Sequence, residues 1–439
     1  MSRHTIYYAV TVALGGFLFG FDTAVISGAE QSIQFLWTLD EMAHGLTVSI
    51  ALIGTVIGAL FGGIPAEVFG RKKTLFWIGI LYLVSALGSA LVDNWYLFLF
   101  YRFIGGLGVG ASSVAAPMYI SEIAPANDRG KLVALFQFNI VFGILLAYVS
   151  NYLISTFDIA SAWRWMLGVE AFPALVYSVM VLTVPESPRW LILRRGDIDQ
   201  ARRVFLMNHE ANIEGRIAQI NESAVEKKAK GNLNLSYYKR PIMLAVLFAF
   251  FNQLSGINAI IYYAPRIFEI AGLGKSAALL SSAGVGVVNF VFTLLAISLI
   301  DKLGRKMLMH YGSFGLIFTL GTVAFSFYTS IGKLAIPYYL FTYIAFFAFS
   351  QGAVIWVFIS EIFPNEKRAF GQSLGSFTHW ILAAAIAFVF PAFTTRLGPA
   401  NTFMIFAGMM VLQWLFVWKV MPETKGKTLE DLGKTLTNE

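Results

Sequence analysis

Apolar runs of about 20 residues recur along the chain between short polar segments, and each is long enough to cross a bilayer core of roughly 30 Å. Twelve such runs predict twelve membrane-spanning helices, at about 6–27, 46–66, 74–92, 97–120, 132–154, 163–184, 241–270, 277–300, 307–328, 336–360, 371–391 and 400–420. The first run follows only Arg3 and His4 and has no small-residue cleavage site, so it reads as a retained span. The central stretch "RRGDIDQARRVFLMNHEANIEGRIAQINESAVEKKAKGNL" is polar, with helix-forming patches, and predicts two or three short amphipathic helices. The chain thus divides into a six-span bundle at 1–184, a helical linker at 185–240, a second bundle at 241–421 and a polar tail at 422–439. The fold class is an all-α membrane protein.

Composition agrees with the pattern: 57% of the 439 residues are hydrophobic and 13% are charged, far from a soluble mixture. The net charge of +7 is a matter of topology. With the N-terminus inside, Lys and Arg crowd the cytoplasmic segments, as at Arg71–Lys73, Arg129, the linker, Lys302–Lys306 and Lys367–Arg368. The exceptions are Arg102, within a span, and Arg164, Arg266, Lys275, Lys333 and Arg396 on the outside. This asymmetry places both termini in the cytoplasm of a multi-pass inner-membrane protein and argues against nucleic acid as a partner. There is no cysteine, which excludes disulfides and thiolate chemistry. The RGD tripeptide at 195–197 and the sequons at 221–223 and 234–236 fall on the cytoplasmic side and are chance matches.

The two halves repeat. "AEVFGRKK" (66–73) recurs as "IDKLGRKM" (300–307), "SEIAPANDRG" (121–130) as "SEIFPNEKRA" (360–369), and "VPESP" (184–188) as "MPETK" (421–425), at offsets of 234, 239 and 237. Matches at nearly one offset, each at the same point of a six-span half, mark an internal duplication. Parallel repeats of this kind build alternating-access transporters with the substrate site near the midplane. In each half an acid and a base seven apart, Glu122 with Arg129 and Glu361 with Arg368, lie beside a Gly-Arg-Lys turn carrying Arg71 or Arg305, with Glu67 just before the first. Such charges at helix ends either form a gate that pairs in one state and parts in another, or are plain positive-inside loops.

Few charges remain away from the span ends. Asp22 lies about six residues from the outer end of the first span, roughly 9 Å deep, with Arg102 and Glu170 at similar depth in spans 4 and 6. A buried charge is costly without a partner or a wet cavity, so ionisable groups there mark ion or substrate pathways. The set is either a static Asp–Arg bridge or a switch in which a proton on Asp22 frees Arg102 to turn to Glu170. The second half offers amides and aromatics instead: Asn252, Gln253, Asn258, Tyr262 and Tyr263 in span 7, Asn289 in span 8, Trp356 in span 10, and His379–Trp380 in span 11. Amides suit sugar hydroxyls and indoles suit the apolar face of a pyranose; the alternative for any one amide is interhelical glue. Gly256 lets span 7 bend. The Gly-rich "GGLGVG" (105–110) lies within a span with no strand before it and reads as helix packing, not a nucleotide loop.

Taken together, "GFDTAVISGA", "PESPRWL" (185–191), "NQLSGINAIIYYAP", "DKLGRK" (301–306) and "SEIFP" (360–364) resemble the sugar porter family of the major facilitator superfamily. The likeness is to its bacterial xylose– and hexose–proton symporters and covers nearly the whole chain. It implies that Asp22 is the proton-coupling acid, Arg102 its partner and Glu170 the family's span 6 glutamate. It also implies that Gln137, Gln253, Asn258, Asn289, Trp356 and Trp380 contact sugar. Glucose facilitators of animals carry asparagine at the Asp22 position. The chain departs from the family at Asn252, where a glutamine is usual, at His379, which replaces a glutamine of xylose symporters, and at Glu67–Val68, which replace Asp-Arg. "QGAVIW" (351–356) lacks a proline often found there.

The expectation is a monomeric, proton-coupled symporter of a neutral monosaccharide, without cofactor or metal and without enzymatic chemistry. A uniporter of the same fold is the rival; a sugar-sensing receptor would need a signalling tail longer than the one that follows the last span.

Overall fold

The computed structural model describes residues 2–125, 128–157, 159–208, 210, 212–229, 238–363, 367–426 and 436. The sequon at 234–236 lies outside them. In hydrocarbon every backbone N–H and C=O must be satisfied within its own segment, so apolar runs of this length become helices. Twelve result: α1 (Arg3–Leu36), α2 (Glu41–Val68), α3 (Arg71–Leu91), α4 (Trp95–Ile123), α5 (Arg129–Thr156), α6 (Ala162–Thr183), α7 (Lys239–Ile270), α8 (Lys275–Leu303), α9 (Arg305–Thr329), α10 (Lys333–Glu361), α11 (Phe370–Arg396) and α12 (Gly398–Lys419). Among the described residues there is no strand. Between α6 and α7 lie short helices at Pro188–Trp190, Ile198–Met207 and Ile213–Ala229. The last two pack with the turn at Leu191–Arg195 into a small core of Leu191, Val204, Phe205, Ile217 and Ile220.

The first helix is longer than its apolar run, continuing through Glu30, Gln31 and Gln34 to Leu36. Those polar side chains do not end it because each finds a partner. Asp22 therefore lies 14 residues before the end of α1, roughly 21 Å along the axis, because the helix runs on past the apolar run that ends near residue 27.

Three helices are interrupted where function is expected. α6 breaks at Val169–Glu170 and resumes at Ala171, because Pro173 has no N–H for the Val169 carbonyl. α7 consists of Lys239–Leu254 and Ile257–Ile270, hinged at Gly256. Gly256 has φ +84°, and a Cβ there would lie 2.6 Å from the Phe406 ring, so only glycine fits. α10 widens to a single π turn at Ala348–Gly352.

The duplication is visible at the starts of α3 and α9, each entered through a glycine at positive φ, Gly70 (98°) and Gly304 (89°). The orphan N–H groups of each first turn are taken by a carboxylate from the end of that half. Glu186 accepts from the backbone N–H of Arg71 (2.8 Å) and Lys72 (3.2 Å), and Glu423 from those of Arg305 (3.1 Å) and Lys306 (3.0 Å). This is the physical content of the repeated "PES" and "PET".

Two compact units emerge. One comprises Met1–Asp22, Gly54–Gly143 and Leu167–Asn234; the other comprises Thr23–Ile53, Ile144–Met166 and Leu235–Glu439. In the first, α1 and α5 touch backbone to backbone: a Cβ at Gly20 would lie 1.9 Å from the Ile140 carbonyl oxygen, and one at Gly143 would lie 2.1 Å from that of Phe17. The second is built on an apolar core in which Phe248 stacks on Phe358 at 5.2 Å.

Candidate functional site

Within the first unit, the buried guanidinium of Arg102 donates from Nη1 to Asp22 Oδ1 at 2.5 Å, with Nη2 3.4 Å from the Asp22 carbonyl oxygen. Glu170, also buried, comes from the break in α6; its carboxyl lies against Asp22 within the field of Arg102, and its Oε1 has no hydrogen bond. The three residues picked from the sequence are thus brought together from α1, α4 and α6. The set holds two carboxyls and one guanidinium, one acid more than its cation can balance. Gly105 keeps the space open: a Cβ there would lie 2.3 Å from Ser85 Oγ and 3.7 Å from Asp22 Oδ1. Gln137 belongs to the same unit, half-buried on α5.

The second unit gathers the amides. Gln253 stands at the end of the first half of α7, where the hinge at Gly256 frees the chain. Its Nε2 donates to Asn252 Oδ1 (2.9 Å) and lies 3.0 Å from His379 Nδ1, while its Oε1 accepts from Asn258 Nδ2 (2.5 Å). His379 is flanked by two indoles, with ring centroids 5.1 Å from Trp356 and 4.8 Å from Trp380. Gln372 steadies α10 beside them by donating to the Trp356 carbonyl (3.0 Å). Asn289 is buried in the middle of α8 and Tyr262 in the second half of α7. Tyr263 is placed elsewhere: its hydroxyl donates to the Ala387 carbonyl (2.8 Å) and its ring meets Phe390 and His44.

The charged motifs form two matching networks, one per half. Arg71 grips Glu122 with Nε and Nη2, both at 2.9 Å, and Ser187 Oγ donates to the same carboxylate (2.5 Å). Arg305 grips Glu361 at 3.1 and 2.7 Å, and Thr424 Oγ1 donates to it (2.6 Å). The partner of each acid is the arginine of the Gly-Arg-Lys turn, not the base seven residues on. Arg129 is the first residue of α5, and Arg368 donates from Nε to the Ser360 carbonyl (3.0 Å). Glu67 pairs with Arg194 at the surface (2.9 Å). Burial pushes the Glu186 carboxyl above its ordinary value, opposed by the N–H groups of Ser187, Lys72 and Arg71 that point at it and by the Arg71 charge. Among the described residues no group of three or more His, Asp or Glu side chains is placed to hold a metal ion.

Residues 8–436 match the family model described as "Sugar (and other) transporter". The chain belongs to the sugar transporter family. It is 38% identical over 473 residues to the D-xylose-proton symporter of Escherichia coli strain K12, covering 98% of this chain and 95% of that one. Among solved structures it is similar to the partially occluded inward-open conformation of the E. coli xylose transporter XylE, with a TM-score of 0.86 at 36% identity over 97% of this chain and 100% of that one. It is also similar to the proton:xylose symporter XylE bound to 6-bromo-6-deoxy-D-glucose, with a TM-score of 0.81 at 36% identity over 99% of each chain. The transporter is thus an all-helical, multi-pass membrane protein of that fold.

One site of this transporter escaped the sequence reading. In the second unit Glu30 is fully buried and held from two sides, by Arg266 (2.7 Å) and by His44 Nε2 (2.7 Å). Arg266 also donates to Gln34 Oε1 (2.6 Å), and Gln31 donates to Glu269 (3.2 Å). Arg266 reads from sequence as one more charge at a span end. The signal was Glu30 itself, an acid continuing the helical register of an apolar run.

Proposed function

We propose that the transporter carries a neutral monosaccharide into the cell together with a proton, exposing one binding site alternately to the two sides of the membrane. The single observation that carries the reading is the buried Asp22–Arg102 pair with Glu170 against it, inside the first unit. A fixed bridge needs one acid and one base; the second carboxyl makes the set responsive to one proton. With Asp22 ionised the pair holds. A proton on Asp22 removes the attraction, and Arg102 then has Glu170 as its other partner. The sugar is held by Gln253, Asn252, Asn258, Tyr262 and Asn289. Trp356, His379 and Trp380 face its ring. Similarity to the D-xylose-proton symporter and to XylE with its bromodeoxyglucose supports a pentose or hexose as cargo.

The end of each bundle carrying Arg71 or Arg305 is cytoplasmic on this reading, as are both termini, and the Arg71–Glu122 and Arg305–Glu361 networks act as inner gates. The bundles at 1–184 and 241–421 are the moving parts, the segment at 185–240 links them, and the monomer in the plasma membrane is the working unit. A negative-inside potential contributes about 2.3 kcal/mol per 100 mV for each entering charge. A pH gradient adds about 1.4 kcal/mol per unit.

The test is sugar-triggered alkalinisation of the external medium by proteoliposomes, across a panel of pentoses and hexoses, with Asp22→Asn beside the wild type. Proton entry with one sugar, lost in the variant while that sugar still binds, supports symport and names the substrate. Sugar entry without a proton signal makes the protein a facilitator and Asp22 a structural residue.

A further inference from the structure

Below the Asp22 cluster, toward the end of the first unit that carries Arg71, the bundle interior is lined with hydroxyls on aligned stripes. Positions seven apart keep one face of a helix. On α1 that face carries Asp22, Gly15 and Tyr8; on α4 it carries Gly105, Ser112 and Tyr119; on α6 it runs from Glu170 to Tyr177. A Cβ at Gly15 would lie 2.9 Å from Ser112 Oγ and 3.1 Å from the Tyr177 hydroxyl, so these three positions meet at one level. Tyr82 of α3 sits among Asp22, Glu170, Tyr177 and Ser112 and joins that level to the acids. Thr11 lies one helical turn beyond Gly15. Further on, the Tyr119 hydroxyl donates to the Pro185 carbonyl (2.8 Å) and lies near Glu122 and Glu186.

The hydroxyls of Thr11, Tyr82, Ser85, Ser112 and Tyr177 are all buried; those of Tyr82 and Ser112 face each other, while those of Thr11, Ser85 and Tyr177, like Glu170 Oε1 above them, have no hydrogen-bond partner among the described residues. One orphan hydroxyl is an accident of packing. Several on and beside these stripes, between two acidic sites, mark a polar seam through the bundle, and buried polar groups of this kind are satisfied by internal water.

We propose that these hydroxyls bind a file of water molecules that carries the coupled proton from Asp22 to Glu186 through the interior of the N-terminal bundle, apart from the sugar's own route. Asp22 gives its proton to the first water, and each water or hydroxyl oxygen accepts one proton and passes one on. The Glu186 carboxylate takes the last and releases it to solvent. Every intermediate oxygen ends with the protons it began with. Burial raises the Glu186 carboxyl's affinity for a proton, which suits it as the terminal acceptor. This inference rests on the symport reading and adds a route to it.

The experiment compares wild type with Tyr177→Phe, Ser112→Ala and their double variant in proteoliposomes. Sugar exchange at equal pH needs no proton release; proton-driven accumulation does. The proposal expects exchange within about twofold of wild type and accumulation rates down about tenfold in the double variant. The wild type also shows a solvent deuterium effect on accumulation larger than on exchange. Should the double variant fail to fold, Thr11→Val and Thr11→Ser take its place, with the loss expected in the first and recovery in the second. Equal accumulation in the hydroxyl-free variants and wild type overturns the water file while leaving symport standing. A wild type that moves no proton with any sugar sinks symport itself, and the file with it.

Discussion

Arg266 holds the carboxylate of Glu30 through two hydrogen bonds, Nε to Oε1 at 3.0 Å and Nη2 to Oε2 at 2.7 Å. His44 Nε2 closes the third side at 2.7 Å. The clamp ties the last turns of α1 and α7 and the first turn of α2 within one unit. Removing one partner of a buried pair costs about 3–5 kcal/mol. Glu30→Gln is therefore expected to loosen this end by roughly 100-fold to several thousand-fold. Ser27, one turn below Glu30 and 2% exposed, is the reporter, since the protein has no cysteine of its own. Ser27→Cys should react with a membrane-impermeant maleimide far faster in the Glu30→Gln background; equal rates mean the clamp does not hold this end shut.

Glu186 gives a pH dependence. Burial raises its carboxyl from an ordinary value of 4.5, so the folded protein binds that proton more tightly than the unfolded chain does. Its contribution to stability is then greatest at low pH and falls as pH rises through the window from 4.5 to the folded value. Glu186→Gln keeps an oxygen for the N–H groups of Arg71 and Lys72 and removes the titration. The difference in thermal midpoint, wild type minus variant, should fall with rising pH across that window and level off above it. A difference that rises with pH there has the wrong sign for this assignment.

The contact between α1 and α5 sets a packing prediction. A methyl at Gly20 meets the Ile140 carbonyl at 1.9 Å, a clash that neither helix backbone relieves without moving Asp22. Gly20→Ala should lower the thermal midpoint by about 5 °C or more. Gly408→Ala, with nothing within 4 Å of the new methyl, should leave it unchanged. Fluorescence-detected unfolding in detergent reads both, and equal midpoints for the two variants remove the argument.

His379 tests the sugar site. Gln253 has both ends engaged, with Nε2 near His379 Nδ1 at 3.0 Å and Oε1 accepting from Asn258 at 2.5 Å, so a sugar must exchange with these contacts. His379→Ala frees Gln253 from its orientation and should weaken sugar binding about tenfold. His379→Gln restores a polar partner and should recover most of it. Quenching of tryptophan fluorescence, with Trp356 and Trp380 beside the histidine, follows the titration; wild-type affinity in the alanine variant places His379 outside the site.

The length and apolar character of the runs determined the twelve spans by themselves, because hydrocarbon leaves a chain of this composition no other way to satisfy its backbone. The near-constant offset of three motifs gave the duplication for the same local reason, since each motif builds one helix start and its cap. Asp22, Arg102 and Glu170 stood out because an acid or base in such a run is costly unless it meets another. What the sequence left open were the partners. That Glu122 and Glu361 take the arginines of the Gly-Arg-Lys turns depends on which helix ends meet, as does the clamping of Glu30 by Arg266 and His44, and a period of 3.6 residues carries no such information. Tyr263 reads as one more polar face of α7 until the packing of α11 supplies the Ala387 carbonyl for its hydroxyl. Each polar side chain is written in the sequence; whether it is glue, gate or ligand is decided by what the tertiary fold sets within about 3 Å of it.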